Sequence, residues 1–266
     1  MHTWHWRSWN ELPYLTCSIL EPLAHGFFTQ HYWAHQPADL TQVLHPRAQA
    51  YRVKQVHGNV VLTPTEVAAA MADAEGGIGP EPPPADGLLT EQDNQAVWVC
   101  SADCVPILIA DIKTRQVAAV HAGWRGTAQK IGSQAIARLQ QQGSHLANLR
   151  AALGPAIAGT VYQVSEAVAA TVGASITAID PVQVEAGLDA LKQLKDSPLL
   201  EDSAPGRVRL DVRRVNALQL EQLGLAVEQV AIAPYCTFQG TDYFFSYRRS
   251  GEKKAQWSGI ISGQSM

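Results

Sequence analysis

The runs Gln95-Ala96-Val97-Trp98-Val99-Cys100, Val105-Pro106-Ile107-Leu108-Ile109-Ala110 and Gln116-Val117-Ala118-Ala119-Val120 decide the fold class. Each is too short for a core helix and lacks polar alternation, so the three read as strands covered on both faces. Downstream, Thr127 to Gln142 places Ile131, Ala135, Ile136 and Leu139 at helical spacing and stops at Gly143. Leu149–Leu153 reads as a further strand, and Ser165 before Glu166-Ala167-Val168 as a helix N-cap. Asp211 to Leu223 is amphipathic with Gly224 as its stop, and Val230–Ala233 and Tyr243-Phe244-Phe245 read as late strands. Strands and helices interleave, and some neighbouring strands can pair antiparallel. The expectation is an α+β or mixed α/β fold of layered mixed sheets covered by helices.

Composition narrows the function classes. The 266 residues are 46% hydrophobic and 17% charged, enough apolar material for a sizeable core, which excludes wholesale disorder. A net charge of −4 gives no pull toward nucleic acid or an anionic membrane. No apolar run approaches the ~18 residues of a membrane span. Met1-His2-Thr3-Trp4-His5-Trp6-Arg7 does not resemble a signal peptide, so the four cysteines are expected as thiols in a cytoplasmic, reducing setting. No composition shift divides the chain. One domain over 1–266 is expected, with exposed loops near 74–85, where Gly and Pro cluster, and 196–206. The expected assembly is a monomer or small homo-oligomer.

Three segments carry chemistry at strand–loop junctions: Lys54-Gln55-Val56-His57-Gly58, Ser101-Ala102-Asp103-Cys104-Val105-Pro106 and Val120-His121-Ala122-Gly123-Trp124-Arg125-Gly126. Imidazole and thiolate are zinc ligands, and three protein ligands with a vacant fourth position is the catalytic pattern. A zinc so held lowers the pKa of its water toward ~7. Taken singly, a buried Cys is a small inert hydrophobe and a His at a strand end is a satisfied polar group. Context favours a site, because Asp103 adjoins Cys104, while Gly123 and Gly126 bracket Trp124-Arg125 ahead of a helix. Arg125 there reads either as a phosphate contact or as a solvated charge.

Together with Asp86-Gly87 and Leu153-Gly154-Pro155-Ala156-Ile157, these segments resemble the YfiH family, also called the laccase-domain or multicopper polyphenol oxidase family. The resemblance runs through Tyr162-Gln163-Val164 and Leu210-Asp211-Val212 to Phe245-Ser246-Tyr247-Arg248-Arg249 and Trp257-Ser258-Gly259. It implies a layered α/β/β/α arrangement. It also implies metal ligands at His57, Cys104 and His121, with Zn2+ as the expected ion and Cu2+ as the alternative. The implied activity is that of a purine nucleoside enzyme: phosphorolysis of adenosine, inosine or 5′-methylthioadenosine, and adenosine deamination. Cys104, His57, His121 and Asp103 are then the catalytic candidates, and Arg125, Arg52 and Gln55 the candidates for substrate or phosphate. Gln30 stands where the family often has Arg, which leaves any anion contact there open, with Arg52 and Lys54 as the candidates to substitute.

Three other readings compete. The nine histidines contain no His-x-His pair, which argues against a copper polyphenol oxidase with a coupled centre. The resemblance also implies, as an alternative, a cysteine-type amidase acting on a cell-wall precursor, which would use Cys104 as nucleophile and His121 or His57 as base. A non-catalytic metal-binding protein would close the fourth coordination position.

Overall fold

The computed structural model describes residues 2–72 and 81–263. In chain order its strands are β1 (Trp4–Trp9), β2 (Leu12–Cys17), β3 (His25–Phe28), β4 (Gln49–Tyr51), β5 (Val61–Leu62), β6 (Gly87–Leu89), β7 (Gln95–Ser101), β8 (Val105–Asp111), β9 (Val117–Ala122), β10 (Leu149–Leu153), β11 (Gln163–Ser165), β12 (Leu199–Glu201), β13 (Arg207–Leu210), β14 (Val230–Ile232) and β15 (Gln256–Ile261). The helices are α1 (Pro37–Leu44), α2 (Pro64–Ala72), α3 (Trp124–Ala128), α4 (Ile131–Gln141), α5 (Glu166–Thr177), α6 (Val184–Lys192), α7 (Val212–Gln222) and α8 (Tyr247–Ser250).

Two six-stranded sheets run in the orders β1-β2-β3-β15-β7-β4 and β14-β10-β8-β9-β6-β5, beside a three-stranded sheet β11-β13-β12. Both large sheets are mixed, since β4–β7, β5–β6 and β10–β14 pair parallel while β8–β9 and β7–β15 pair antiparallel. The layering explains why the central runs are continuously apolar. In β8, Val105, Ile107 and Ile109 enter the core under the helices, while Leu108 and Ala110 enter the core between the sheets. In β7, Val97 and Val99 face the inter-sheet core, and Ala96 and Trp98 face a third cluster with Leu40 of α1. With period-2 side chains and a covering layer on each side, neither face has a polar position to offer. Each fully buried Leu or Ile contributes about 1.5–3 kcal/mol. The result is the α/β/β/α stack, a mixed α/β fold with several mixed sheets.

Several local expectations hold: β10 spans Leu149–Leu153, and Ser165 Oγ accepts the Val168 N–H as the N-cap of α5. Others are corrected. The single helix expected over Thr127–Gln142 is two helices, because Lys130 adopts φ +56° between α3 and α4. The polar groups at this break are met by α7: Gln219 Nε2 donates to Thr127 O (2.8 Å) and Asn216 Nδ2 to Thr127 Oγ1 (2.9 Å). Tyr243-Phe244-Phe245 is not a strand but a turn leading into α8, with both the Tyr243 and Phe244 N–H groups donating to Gly240 O. The stretch 196–206 contains β12, paired antiparallel with β13. Of the Gly/Pro-rich stretch expected as a loop near 74–85, residues 73–80 lie outside the described residues; beyond them Pro84 bridges Lys54. Among the described residues no helix is long and apolar enough to cross a membrane.

Candidate metal centre

The hairpin β8–β9 builds half of the site. Its register sets Val105 against Ala122 and Pro106 against His121, so Cys104, just ahead of β8, and His121, near the end of β9, emerge at the same sheet end. His57 arrives from the loop between β4 and β5, and Asp86 holds that loop. The Asp86 carboxylate accepts the backbone N–H groups of Val56 (3.1 Å), His57 (2.9 Å) and Gly58 (2.7 Å). It also lies 2.8 Å from Nδ1 of His121, whose backbone N–H donates to Asp86 O (2.7 Å). One fully buried carboxylate thus connects two of the three candidate ligands.

Ligand atoms of His57, Cys104 and His121 lie within 4.8 Å of one another. The two imidazoles meet edge to face with centroids 4.8 Å apart. His121 is buried, Cys104 half-buried and His57 exposed, so the cluster opens outward at His57. His57 and Asp103 both have positive φ, +61° and +94°, a backbone strain that accumulates at functional sites. The gap fits an ion. A Cβ built on Gly123 would meet Cys104 Sγ at 3.0 Å and His57 Cδ2 at 3.1 Å, so glycine there leaves Cys104 and His57 uncrowded. Two imidazoles and one thiolate suit zinc or copper, and three ligands leave a coordination position free.

The electrostatics agree. Burial alone would raise the Cys104 thiol, but the neighbouring His121 and His57 rings outweigh it and bring its pKa down to about 6. Burial would lower His121, but the Asp86 carboxylate and Cys104 push it up to about 9. Asp86 itself is held below the usual carboxylate range, because hydrogen bonds from His121 and the loop amides exceed the cost of its burial. Cys100 is a different kind of thiol, pushed up to about 11 by burial.

The other candidate residues divide. Asp103 Oδ1 accepts the Thr237 hydroxyl (2.7 Å), and Oδ2 accepts the Ser246 hydroxyl (3.0 Å) and the Arg248 backbone N–H (2.7 Å). Its carboxylate therefore fastens the C-terminal segment beside the cluster. Arg125 is exposed, with its guanidinium 4.2 Å from the Trp124 ring centroid. Gln55 spends its amide on the Cys100 backbone, donating to Cys100 O and accepting Cys100 N–H, both at 2.7 Å. Arg52 is exposed, and its charge acts on the Cys100 thiol. Gln30 donates to Thr241 O (2.9 Å), and Lys54 pairs with Glu81 (2.7 Å). Among the residues not singled out for a role, Asp86 was visible only as part of a motif. Tyr162 and Trp124 line a small cavity of about 40 Å³ with Asp103, Cys104, Gly123 and Ile157. Ser246 is likewise visible only as part of a motif, and Thr237 has no local signal. A larger groove of about 470 Å³ around Lys192, Leu199, Asp202 and Arg207 shares no lining residue with this cavity.

The family described as multi-copper polyphenol oxidoreductase laccase matches residues 34–262. The chain belongs to this family. Within the laccase-domain family, it is 48% identical over 262 residues to a purine nucleoside phosphorylase of Synechocystis sp., covering 97% of each chain. An adenosine deaminase from an unknown prokaryotic organism is 30% identical over 166 residues, covering 62% of this chain and 57% of its own. The crystal structure of YlmD from Geobacillus stearothermophilus superposes with a TM-score of 0.78 at 23% identity, over 97% of this chain and 99% of that one. At that identity the likeness shows the fold of the laccase-domain family.

Proposed function

We propose that this chain is a zinc-dependent purine nucleoside enzyme that uses inorganic phosphate to cleave the glycosidic bond of adenosine, inosine or 5′-methylthioadenosine, and uses water to deaminate adenosine. The observation that carries the reading is the convergence of ligand atoms of His57, Cys104 and His121 within 4.8 Å of one another, with Gly123 leaving Cys104 and His57 uncrowded. The near full-length similarity to a purine nucleoside phosphorylase supports the substrate class.

A zinc ion held there supplies Lewis acidity beside an open coordination position. The chain's own residues prepare that site. Asp86 accepts a hydrogen bond from Nδ1–H of His121, which would leave Nε2 as the nitrogen to hold an ion. The cavity of about 40 Å³ is too small for a nucleoside, so the substrate lies outside it, beside the exposed His57 of the cluster. In phosphorolysis a phosphate oxygen bonds to C1′ as the bond from C1′ to the purine nitrogen breaks, and the base leaves with that electron pair and gains a proton. Arg125 contacts the phosphate. Asp103 acts as a positioning residue, since both of its oxygens are already taken by Thr237, Ser246 and Arg248.

Elemental analysis of the purified protein, with adenosine assayed with and without phosphate, tests this reading. One zinc per chain, adenine release with phosphate and inosine release without it are expected. His57→Ala, Cys104→Ala and His121→Ala should each abolish both. Wild-type rates in Cys104→Ala would overturn the assignment. The thiol lowered to about 6 beside two imidazoles also favours a second reading, a cysteine hydrolase. Metal-free turnover that is blocked by alkylating Cys104 would select it.

A further inference from the structure

We propose that Arg125 and Arg248 together form a paired guanidinium site for inorganic phosphate beside the Cys104 cluster. Trp124 and Tyr162 are both walls of the cavity that contains Cys104. Each wall carries a guanidinium: Arg125 lies 4.2 Å from the Trp124 centroid and Arg248 lies 4.8 Å from the Tyr162 centroid. An arginine held over an aromatic ring by the cation–π attraction keeps N–H groups free for an oxyanion.

Neither cation is neutralised. Among the described residues, no carboxylate pairs with either guanidinium, whereas Arg138, Arg209, Arg213 and Arg214 all have acidic partners. Arg248 donates Nη1 to Gln163 O (2.8 Å), which steadies it and leaves most of its five donors unused. Asp103, on the cavity wall, does not compete, because it accepts the Arg248 backbone N–H and two hydroxyls. It thereby docks the segment that presents the Arg248 side chain. The adjacent Arg249 does a different job: its guanidinium donates to Thr237 O, Phe238 O and Phe244 O, and so holds that segment's own turn together. Of two neighbouring arginines, Arg249 is structural, while Arg248 rests over Tyr162, a wall of the cavity.

The role of this phosphate in turnover rests on the purine nucleoside reading; the binding does not. Zinc-loaded wild type, Arg125→Gln, Arg248→Gln and Arg248→Lys are titrated calorimetrically with inorganic phosphate, and the KM for phosphate is measured with adenosine. Each Gln variant should weaken phosphate binding by about 10- to 100-fold and raise the phosphate KM in parallel, as expected for lost charge-assisted hydrogen bonds. Arg248→Lys, which keeps a cation and a donor for the Gln163 carbonyl, should fall between wild type and Gln. Phosphate affinity within twofold of wild type in folded Arg248→Gln, or no phosphate binding by wild type, overturns the proposal. If phosphate binds and the variants lose it while adenosine is not cleaved, the anion site stands and the nucleoside reading falls.

Discussion

The carboxylate of Asp86 lies 2.8 Å from Nδ1 of His121, and the same side chain accepts three consecutive backbone N–H groups of the loop that carries His57. The two groups are opposed because β6 pairs with β9, Gly87 against Val120. Asp86 therefore sets the orientation of one candidate ligand and the position of another. Asp86→Asn puts an amide N–H2 where at least one donor now bonds. Zinc affinity should fall by about 10- to 100-fold, read by competition with a chromophoric chelator. Unchanged affinity would mean that the histidines orient themselves.

Gly123 tests the fit of the ion itself. An added methyl would press on Cys104 Sγ at 3.0 Å and on His57 at 3.1 Å. Gly123→Ala should lower zinc occupancy after dialysis while costing only about 1–3 kcal/mol of stability from overpacking. Full occupancy at unchanged affinity would show that the gap is wider than the three donors suggest.

His25 governs part of the acid sensitivity, away from the metal centre. It is buried, with Nε2 2.8 Å from the Cys17 N–H it accepts and Nδ1 2.8 Å from Leu23 O. Burial is the main cause that holds its pKa below the usual histidine value. Below about pH 6.5 the unfolded chain takes up a proton that the folded chain refuses, so stability falls as pH falls, with a limiting slope of about 1.4 kcal/mol per pH unit. Between about pH 7.5 and 5.5, wild type should lose more Tm than His25→Gln, which lacks the titrating group. Equal losses would assign the acid sensitivity to other groups.

Gly259 reports on the outer layer. In the register of β7 and β15 it faces Trp98, and a Cβ there would come within 2.4 Å of the indole. Trp98 cannot shift freely, because its Nε1–H donates to Thr41 Oγ1 of α1 at 2.9 Å. Gly259→Ala should destabilise by about 1–3 kcal/mol in urea unfolding without changing zinc content. A larger effect on zinc than on stability would contradict this separation of core and site.

Local pattern revealed much of this protein. The runs of β7, β8 and β9 are legible because a strand buried on both faces has no place for polar residues. The α5 N-cap and α7 are legible because capping and helical periodicity act within a few residues. The Tyr243–Phe245 segment misleads because its aromatic residues favour strands in isolation, whereas the Gly240 carbonyl captures the Tyr243 and Phe244 N–H groups in a turn and Gln256 Oε1 accepts that of Phe245. Likewise, nothing near Lys130 announces its left-handed backbone, since the polar groups of that break are met by Asn216 and Gln219, far along the chain.

The sequence by itself determined the kinds of donor at His57, Cys104 and His121 and the strand ends that carry them, because residue type and short-range periodicity are local properties. Only the tertiary structure decided that these donors converge, that Asp86 ties two of them together, that Gln55 is spent on the Cys100 backbone and that Arg248 rather than Arg249 rests over the Tyr162 ring. Those outcomes depend on strand register and on hydrogen bonds between segments far apart in the chain, and no local pattern encodes a partner that folding has yet to bring near.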